Sequence, residues 1–212
     1  MPRPEFSSEL ITDERVFAVL HELYEQERHI EWGGYEYSLD PYAHPETGFS
    51  MSPEQGDQLY LLARYGRATN VVEFATSLGF STIFLAAALK EAGAGVVYSA
   101  ELVPSKVDQA RKNIDRAGLS EHVEILEGDA RETLARVPDG IDLAVIDGWI
   151  PAVSLEVLKT LEGRLRPGAL VYNENLDDEL IDYVKAHSDR YRSMRLLSGS
   201  GYKPSGEIIL KR

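Results

Sequence analysis

The sequence predicts an α/β fold, a doubly wound and mostly parallel sheet of seven strands with helices on both faces. From residue 70 onward, strand-like apolar runs alternate with helix-like stretches. The runs are apolar at successive positions, as in strands that are buried on both faces. The chain has 212 residues, of which 43% are hydrophobic, and this favours one domain with a sizeable core.

Five apolar runs are the predicted parallel strands, and a helical stretch follows each of them. They are NVVEFA, GVVYSAE, HVEILEG, IDLAVID and GALVYNE. Parallel neighbours need crossover connections, which are right-handed and place helices on both faces of the sheet. Residues 191–212 depart from this rhythm, with two apolar runs around a turn-rich tip. They are predicted to form an antiparallel C-terminal hairpin.

An amphipathic helix is predicted near the N-terminus, in the segment TDERVFAVLHELYEQERHIE. Thr12 is its expected N-cap, because acidic residues follow in the first turn. An apolar stripe at helical spacing is expected on one face, formed by Val16, Leu20, Leu23 and Tyr24. This stripe either packs within the chain or pairs across a homodimer.

Residues 32–50 are a predicted ordered loop, because Gly, Pro, Asp and Ser alternate there with aromatic residues. A second helix is expected to start with Ser52 as cap and Pro53 as its first residue. The single predicted domain therefore has an N-terminal helical cap, residues 1–51, and an α/β core, residues 52–212. Helical spacing assigns three aromatic residues to that core: Tyr60, Tyr65 and Phe84.

Charge and composition oppose several functional classes. Thirty-five acidic and 22 basic residues give a net charge of -13, which opposes binding to nucleic acid. The absence of cysteine excludes disulfides and thiolate metal ligands. No apolar run has the length of a signal peptide or of a membrane span, which needs ~20 residues. A cytoplasmic protein without a membrane partner is therefore expected.

The turn after the first strand, residues 75–81, is the predicted ligand site, since ligands of open parallel sheets lie beyond the carboxyl ends of the strands. Ala75, Ser77 and Gly79 are small, and the next helix offers free N–H groups to an anion. Gly-x-Gly-x-x-Gly is absent, which makes a nicotinamide-dependent oxidoreductase the weaker alternative. Glu101 ends the second strand, where a carboxylate can accept hydrogen bonds from ribose hydroxyls. A solvated strand-end acid is the alternative interpretation.

Five blocks occur in a fixed order: VVEFATSLGFST, YSAELVPSKVDQARKNIDRAGL, VEILEGDARETL, IDLAVIDGW and LRPGALVYNENL. With them, residues 52–212 resemble the class I methyltransferases that use S-adenosylmethionine (SAM). The likeness is to the catechol O-methyltransferase-like and bacterial small-molecule O-methyltransferase group. It implies a Rossmann-like sheet, SAM as cofactor and O-methylation of a small metabolite, aromatic or catechol-like.

The resemblance also implies which residues hold the cofactor. The methionine part would contact Glu73, Ala75, Thr76, Gly79 and Ser81, with Ser52 closing over it. The ribose would contact Glu101, and the adenine would contact Asp129, Ala130 and Arg131. Asp147 and Trp149 complete the predicted set, although core packing explains Trp149 equally well. The family usually has glycine at the position of Ala75.

Catechol-methylating members hold Mg²⁺ with an Asp after the fourth strand and an Asp-Asn or Asp-Asp pair after the fifth. Asp147, Glu174 and Asn175 fall at these places and are the predicted ligands of Mg²⁺ or another divalent cation. All three carry oxygen, which suits a hard cation that would orient and acidify a diol hydroxyl. Glu174 is one methylene longer than the usual Asp, which counts against the site.

The proton acceptor is the second departure from the family, which places a lysine three residues after the metal Asp. Ile150 stands there. His44 is the most economical substitute, with a loop histidine in solvent as the alternative. Glu207 resembles the acid that contacts substrate hydroxyls in catechol-methylating relatives, and with Asp147 it completes the predicted catalytic set.

Two further hypotheses stay open at the level of sequence. The same fold and cofactor could serve metal-independent methylation of nitrogen or carbon, or a non-methylating reaction such as cyclisation. Alternatively, the chain could be a non-catalytic nucleotide-binding protein. The methyl acceptor has no signature in the sequence.

Overall fold

The computed structural model describes residues 5–31, 34–36, 38–148, 150–174, 178–196 and 206–212. Its helices are α1 Glu14–Arg28, α2 Pro53–Tyr65, α3 Phe80–Ala92, α4 Pro104–Arg116, α5 Ala130–Thr133, α6 Pro151–Leu161 and α7 Asp178–Ala186. Its strands are β1 Asn70–Phe74, β2 Val96–Glu101, β3 Val123–Glu127, β4 Ile141–Ile146, β5 Leu165–Asn173, β6 Tyr191–Arg195 and β7 Glu207–Lys211.

The seven strands form one sheet in the order β3-β2-β1-β4-β5-β7-β6. The first five strands are parallel, whereas β7 is antiparallel to both β5 and β6. This confirms the predicted doubly wound sheet and its antiparallel C-terminal hairpin. The strand order reverses between β1 and β4, so the carboxyl ends of these two strands flank the crevice in which such sheets bind ligands.

The helix starts follow the capping chemistry of the sequence. Ser52 forms a capping box with Gln55, and Pro53 is the first residue of α2, as predicted. The N-cap of α1 is Asp13, so the prediction of Thr12 is wrong by one residue. The Asp13 carboxylate accepts hydrogen bonds from the backbone N–H groups of Arg15 and Val16, which satisfies two of the donors that a helix start leaves open.

The hydrophobic core lies on both faces of the sheet, in two clusters of buried side chains. The apolar stripe of α1 is buried in the same cluster as α3, so of the two alternatives the structure shows packing within the chain. Tyr60 and Phe84 are buried, but Tyr65 is 93% exposed, so its assignment to the core is wrong. Tyr65 lies five residues after Tyr60, roughly 140° around the helix axis, and therefore faces away from the core.

No helix in the described ranges is both long and apolar enough to cross a membrane.

Candidate active site

A pocket opens at the carboxyl ends of the first four strands, where the strand order reverses. Six of the residues predicted to bind cofactor line it: Ala75, Glu101, Asp129, Ala130, Arg131 and Asp147. They come from four different strand ends, which the parallel sheet brings to a single edge. The sequence-predicted ligand site and this pocket are therefore the same place in the fold.

The turn after β1 has an unusual backbone. Ala75, Ser77 and Gly79 all have positive φ, at 78°, 50° and 92°. The backbone N–H groups of Ala75 and Thr76 both donate to the carbonyl of Ala100, at 3.1 Å each. An Ala in this left-handed region is strained by its Cβ, where glycine is not. The family's usual glycine at this position therefore has a conformational reason.

Glu101 fastens this turn to the end of β2. One carboxylate oxygen accepts the backbone N–H of Ser77 at 2.8 Å, and the other accepts that of Val103 at 2.9 Å. Glu101 is buried in the wall of the pocket, so the alternative of a solvated strand-end acid is wrong. Each carboxylate oxygen keeps a second lone pair for a ligand hydroxyl.

Glu73 is completely buried beneath the turn. Its carboxylate accepts hydrogen bonds from the hydroxyls of Thr82 and Ser99, and Thr76 contacts the Ser99 hydroxyl at 2.6 Å. Burial raises the pKa of the Glu73 carboxyl, and the negative charge of Glu101 adds to this rise. Through Ser99 and Thr76, these hydrogen bonds connect the buried carboxyl group to the turn.

Five predicted cofactor contacts are absent from the described part of the pocket wall: Ser52, Glu73, Thr76, Gly79 and Ser81. Ser52 caps α2, and Gly79 is the N-cap residue of α3. Their contact with the cofactor stays a prediction, as does that of Trp149, which lies outside the described residues.

The far end of the pocket is organised by Asp129. Its side chain caps α5 by accepting the backbone N–H of Arg131 at 2.9 Å. The guanidinium of Arg131 bonds the same carboxylate and also Glu156, at 2.8 Å. Hydrogen bonding to Arg131 lowers the pKa of Asp129, which keeps this carboxylate ionised at the rim.

Asp147 and Glu174 follow neighbouring strands at the other end. The Asp147 N–H donates to the carbonyl of Phe74 at 3.2 Å, and the Glu174 N–H donates to that of Ile146 at 3.0 Å. The Gln55 side-chain amide donates to Glu174 Oε1 at 3.3 Å and to the Tyr172 hydroxyl at 3.2 Å.

The pKa of the Tyr172 phenol depends on the charges at this end of the site. Burial raises its pKa, and the charges of Glu174 and Asp147 add to the rise, whereas the hydrogen bond from Gln55 lowers it. Both acids therefore lie within electrostatic reach of one buried hydroxyl. Glu207, in β7, is also buried. In the sheet it lies opposite Asn173 of β5, the residue that precedes Glu174.

The predicted cation ligands do not form a complete site in the part of the chain that the structure describes. No group of three or more His, Cys, Asp or Glu side chains there could hold a metal ion. Asp147 lines the pocket, but Glu174 is engaged by Gln55, and Asn175 lies outside the described residues. The cation site at these three residues therefore stays a prediction.

His44 packs beside the pocket wall. Its ring lies 5.8 Å from the ring of Phe49, which lines the pocket, and its Nδ1 lies 3.1 Å from the Tyr35 hydroxyl. Its buried Nε2 has no hydrogen-bond partner among the described residues. His44 is therefore half-buried, not a solvated loop histidine, and its role as a base stays a prediction.

Sequence reasoning missed several residues of the wall, notably Leu102, which directly follows β2. It also missed Lys106. One signal for Lys106 exists in the sequence, because it lies on the same helical face as Val107, Ala110 and Ile114, where the periodicity predicts an apolar side chain.

Comparisons with known proteins agree with this geometry. Residues 72–175 match a family model described as a methyltransferase domain. A catechol O-methyltransferase from Niastella koreensis is 37% identical over 139 residues, which are 63% of this chain and 62% of that protein. Another from Mycobacterium tuberculosis is 41% identical over 100 residues, 46% of this chain and 44% of that protein.

An O-methyltransferase from Streptomyces achromogenes, involved in tomaymycin synthesis and solved in complex with SAM, has a similar fold. The TM-score is 0.73 at 23% identity, and the superposition covers 97% of this chain and 93% of that one. At this level of identity the likeness concerns the fold.

The fold, the strand-end pocket and the family match agree, and residues 72–175 are similar to a methyltransferase domain. Among the curated relatives, the chain resembles the catechol O-methyltransferases. The matches span about three fifths or less of the length of these curated relatives.

Proposed function

We propose that the chain transfers the methyl group of SAM to an oxygen of a small molecule, aromatic or catechol-like. The observation that carries the proposal is the pocket itself, which combines the carboxylate of Glu101, the capped end of α5 and the acid Asp147 along one sheet edge. Glu101 would bind the ribose, the capped end of α5 would contact the adenine, and Asp147 would lie at the reacting centre.

The residues of the chain act mainly by positioning. SAM supplies an electrophilic methyl group on a sulfonium, so that a C–S bond breaks as an O–C bond forms and the electron pair stays on sulfur. Glu101 and the turn before α3 would fix the cofactor, while Phe74 and Ile150 exclude water from the methyl end. Alignment of this kind supplies much of the acceleration in such displacements.

Asp147 is the proposed acceptor of the substrate hydroxyl proton. It lies in the described wall of the pocket, next to Gly148 after the end of β4. Ile150, in place of the family lysine, cannot take a proton. The Asp147 carboxylate in the wall is the proposed base. His44 stays the alternative base predicted from the sequence, and Glu207 the predicted contact of a substrate hydroxyl.

No step of this mechanism is routed through a cation, because the predicted cation site includes Asn175, which lies outside the described residues. Chelation tests the expectation of a divalent ion at Asp147, Glu174 and Asn175. Loss of methyl transfer that Mg²⁺ restores would establish the ion, whereas unchanged transfer would exclude it.

The first experiment is calorimetry with SAM, S-adenosylhomocysteine (SAH) and NAD. We expect both adenosyl ligands to bind and NAD not to bind, and absence of adenosyl binding would overturn the proposal. The second is methyl transfer to a panel of catechols and other small metabolites. Asp147→Asn should lower kcat strongly with little change in SAH affinity, whereas the exposed Asp108→Asn should change neither.

Ile150 favours a second candidate, methylation of a nitrogen or carbon that needs no lysine base. Analysis of the methylated product distinguishes the two reactions. Tight SAH binding without turnover on any acceptor would instead support a non-catalytic binding protein.

A further inference from the structure

Lys106 is a buried cation in the wall of the proposed cofactor pocket. It lies on α4, and only 3% of its surface is exposed. Its neighbours on the same helical face, Val107 and Ala110, are fully buried core residues. Burying an ammonium group costs free energy unless charges or hydrogen bonds compensate for it. An apolar side chain would suit this helical position, so the lysine calls for a functional explanation.

The ammonium group lies between the two segments that enclose the pocket. Lys106 Nζ is 3.4 Å from the hydroxyl of Ser77, in the turn after β1. It is also 5.2 Å from the centre of the Phe49 ring, in the cap loop. The Ser77 hydroxyl in turn donates to the carbonyl of Gly48 at 2.6 Å, so both segments meet at this point.

Two carboxylates face the lysine from other elements. Burial lowers the pKa of Lys106, whereas the negative charges of Glu101, at the end of β2, and of Glu27, on α1, raise it. Glu27 is itself buried and accepts the backbone N–H of Ser50 at 2.9 Å, which ties α1 to the cap loop. Ser77, whose hydroxyl is near Lys106 Nζ, also donates its backbone N–H to Glu101, the group that the proposed function assigns to the ribose.

We propose that Lys106 is a cofactor-binding residue that donates a hydrogen bond to a ribose hydroxyl oxygen, while Glu101 accepts from the same diol. This inference rests on the proposed function. A vicinal diol both donates and accepts, and a carboxylate satisfies only its donors. In the described wall the other cation, Arg131, is engaged by Asp129 and Glu156. Lys106 is therefore placed to satisfy the acceptor half of the diol.

The test uses two ligands that share adenosine but differ at the amino acid. SAH carries both parts, and 5′-methylthioadenosine lacks the amino-acid part. Lys106→Met should weaken both ligands by the same factor, about tenfold or more, since a hydrogen bond to a charged group is lost. Lys106→Arg, which keeps the charge, should restore most of this affinity. Lys112→Met, on the exposed face of the same helix, should change neither.

Each outcome has a distinct meaning. If Lys106→Met weakens SAH but not 5′-methylthioadenosine, the lysine binds the carboxylate of the amino-acid part and the ribose assignment is wrong. Unchanged affinity for both ligands would also overturn it. Lys106→Gln is measured in parallel, with thermal unfolding of every variant, so that a folding defect in one neutral variant does not decide the result. If the unsubstituted protein does not bind SAH, the proposed function itself fails.

Discussion

The carboxylate of Glu101 accepts the backbone N–H of Ser77 at 2.8 Å, across 24 residues of sequence. The bond fixes the turn after β1 against the end of β2, and both segments line the pocket. Glu101 therefore sets both the shape of the turn and the charge at the end of the pocket proposed to bind the ribose.

Replacing Glu101 by Gln tests this double role. The amide keeps one acceptor oxygen but turns N–H donors toward a backbone N–H, which leaves that group unsatisfied. We expect SAH affinity to fall about 10- to 100-fold, measured by calorimetry. Glu127→Gln is the matched control, since Glu127 is exposed and pairs with Glu101 in the sheet. Equal affinity in the Glu101 and Glu127 variants would contradict the assignment.

Ala75→Gly should stabilise the protein. A left-handed Ala costs roughly 1–2 kcal/mol, and the greater unfolded-state freedom of glycine offsets about 0.5–1 kcal/mol of this. We expect a gain of up to about 1 kcal/mol in chemical denaturation, with SAH affinity not weakened. Ala87→Gly, in the middle of α3, should instead lose about 1 kcal/mol. If Ala75→Gly is less stable than the unsubstituted protein, the packing of the Ala75 methyl group outweighs the strain of a φ of 78°.

Glu73→Gln should become more stable relative to the unsubstituted protein as the pH rises. The folded-state pKa of Glu73 is raised above its ordinary value of 4.5 by burial, so the folded state favours the protonated carboxyl. This group therefore contributes stability below pH 4.5 that is lost as the pH rises through the folded-state pKa. The difference in unfolding free energy between the two proteins, measured from pH 4.5 upward, should grow. A difference that is independent of pH would contradict this.

Gly148→Ala should disturb the pocket through Phe74. A Cβ on Gly148 would overlap the ring of Phe74, and both residues line the pocket. We expect a loss of about 1–3 kcal/mol of stability and weaker SAH binding. Phe74→Leu in the same protein should recover part of the stability, giving a coupling energy of about 0.5–3 kcal/mol in a double-mutant cycle. Gly163→Ala, with no atom near its added Cβ, is the control. If the effects of the two substitutions on stability are additive, a clash with Phe74 is not the cause of the loss.

The sequence predicted the parallel strands and their order along the chain, because each strand has its own apolar run and each helix has its own start and stop signals. Ser52 and Pro53 marked the start of α2 correctly, since capping is a contact within four residues. The same rule missed Asp13 by one position, because Thr12 and Asp13 are both good caps and only the backbone geometry distinguishes them.

The candidate site was predictable where it depends on strand ends. Ala75, Glu101 and Asp147 line the pocket because a parallel sheet brings the carboxyl end of every strand to one edge. Glu73 occurs in the same block as Ala75 but is absent from the described wall, which its neighbour Phe74 lines, because successive side chains point to opposite faces of a strand.

The amino-acid sequence by itself determined the sheet, the turn after β1 and the acids at the strand ends, because local periodicity and the family blocks encode them. Only the tertiary structure decided what surrounds Lys106. Its neighbours Glu27, Phe49 and Ser77 come from α1, the cap loop and the turn, 79, 57 and 29 residues away along the chain. Contacts over such distances leave no local pattern, so the buried cation of the pocket becomes visible only when the chain is folded.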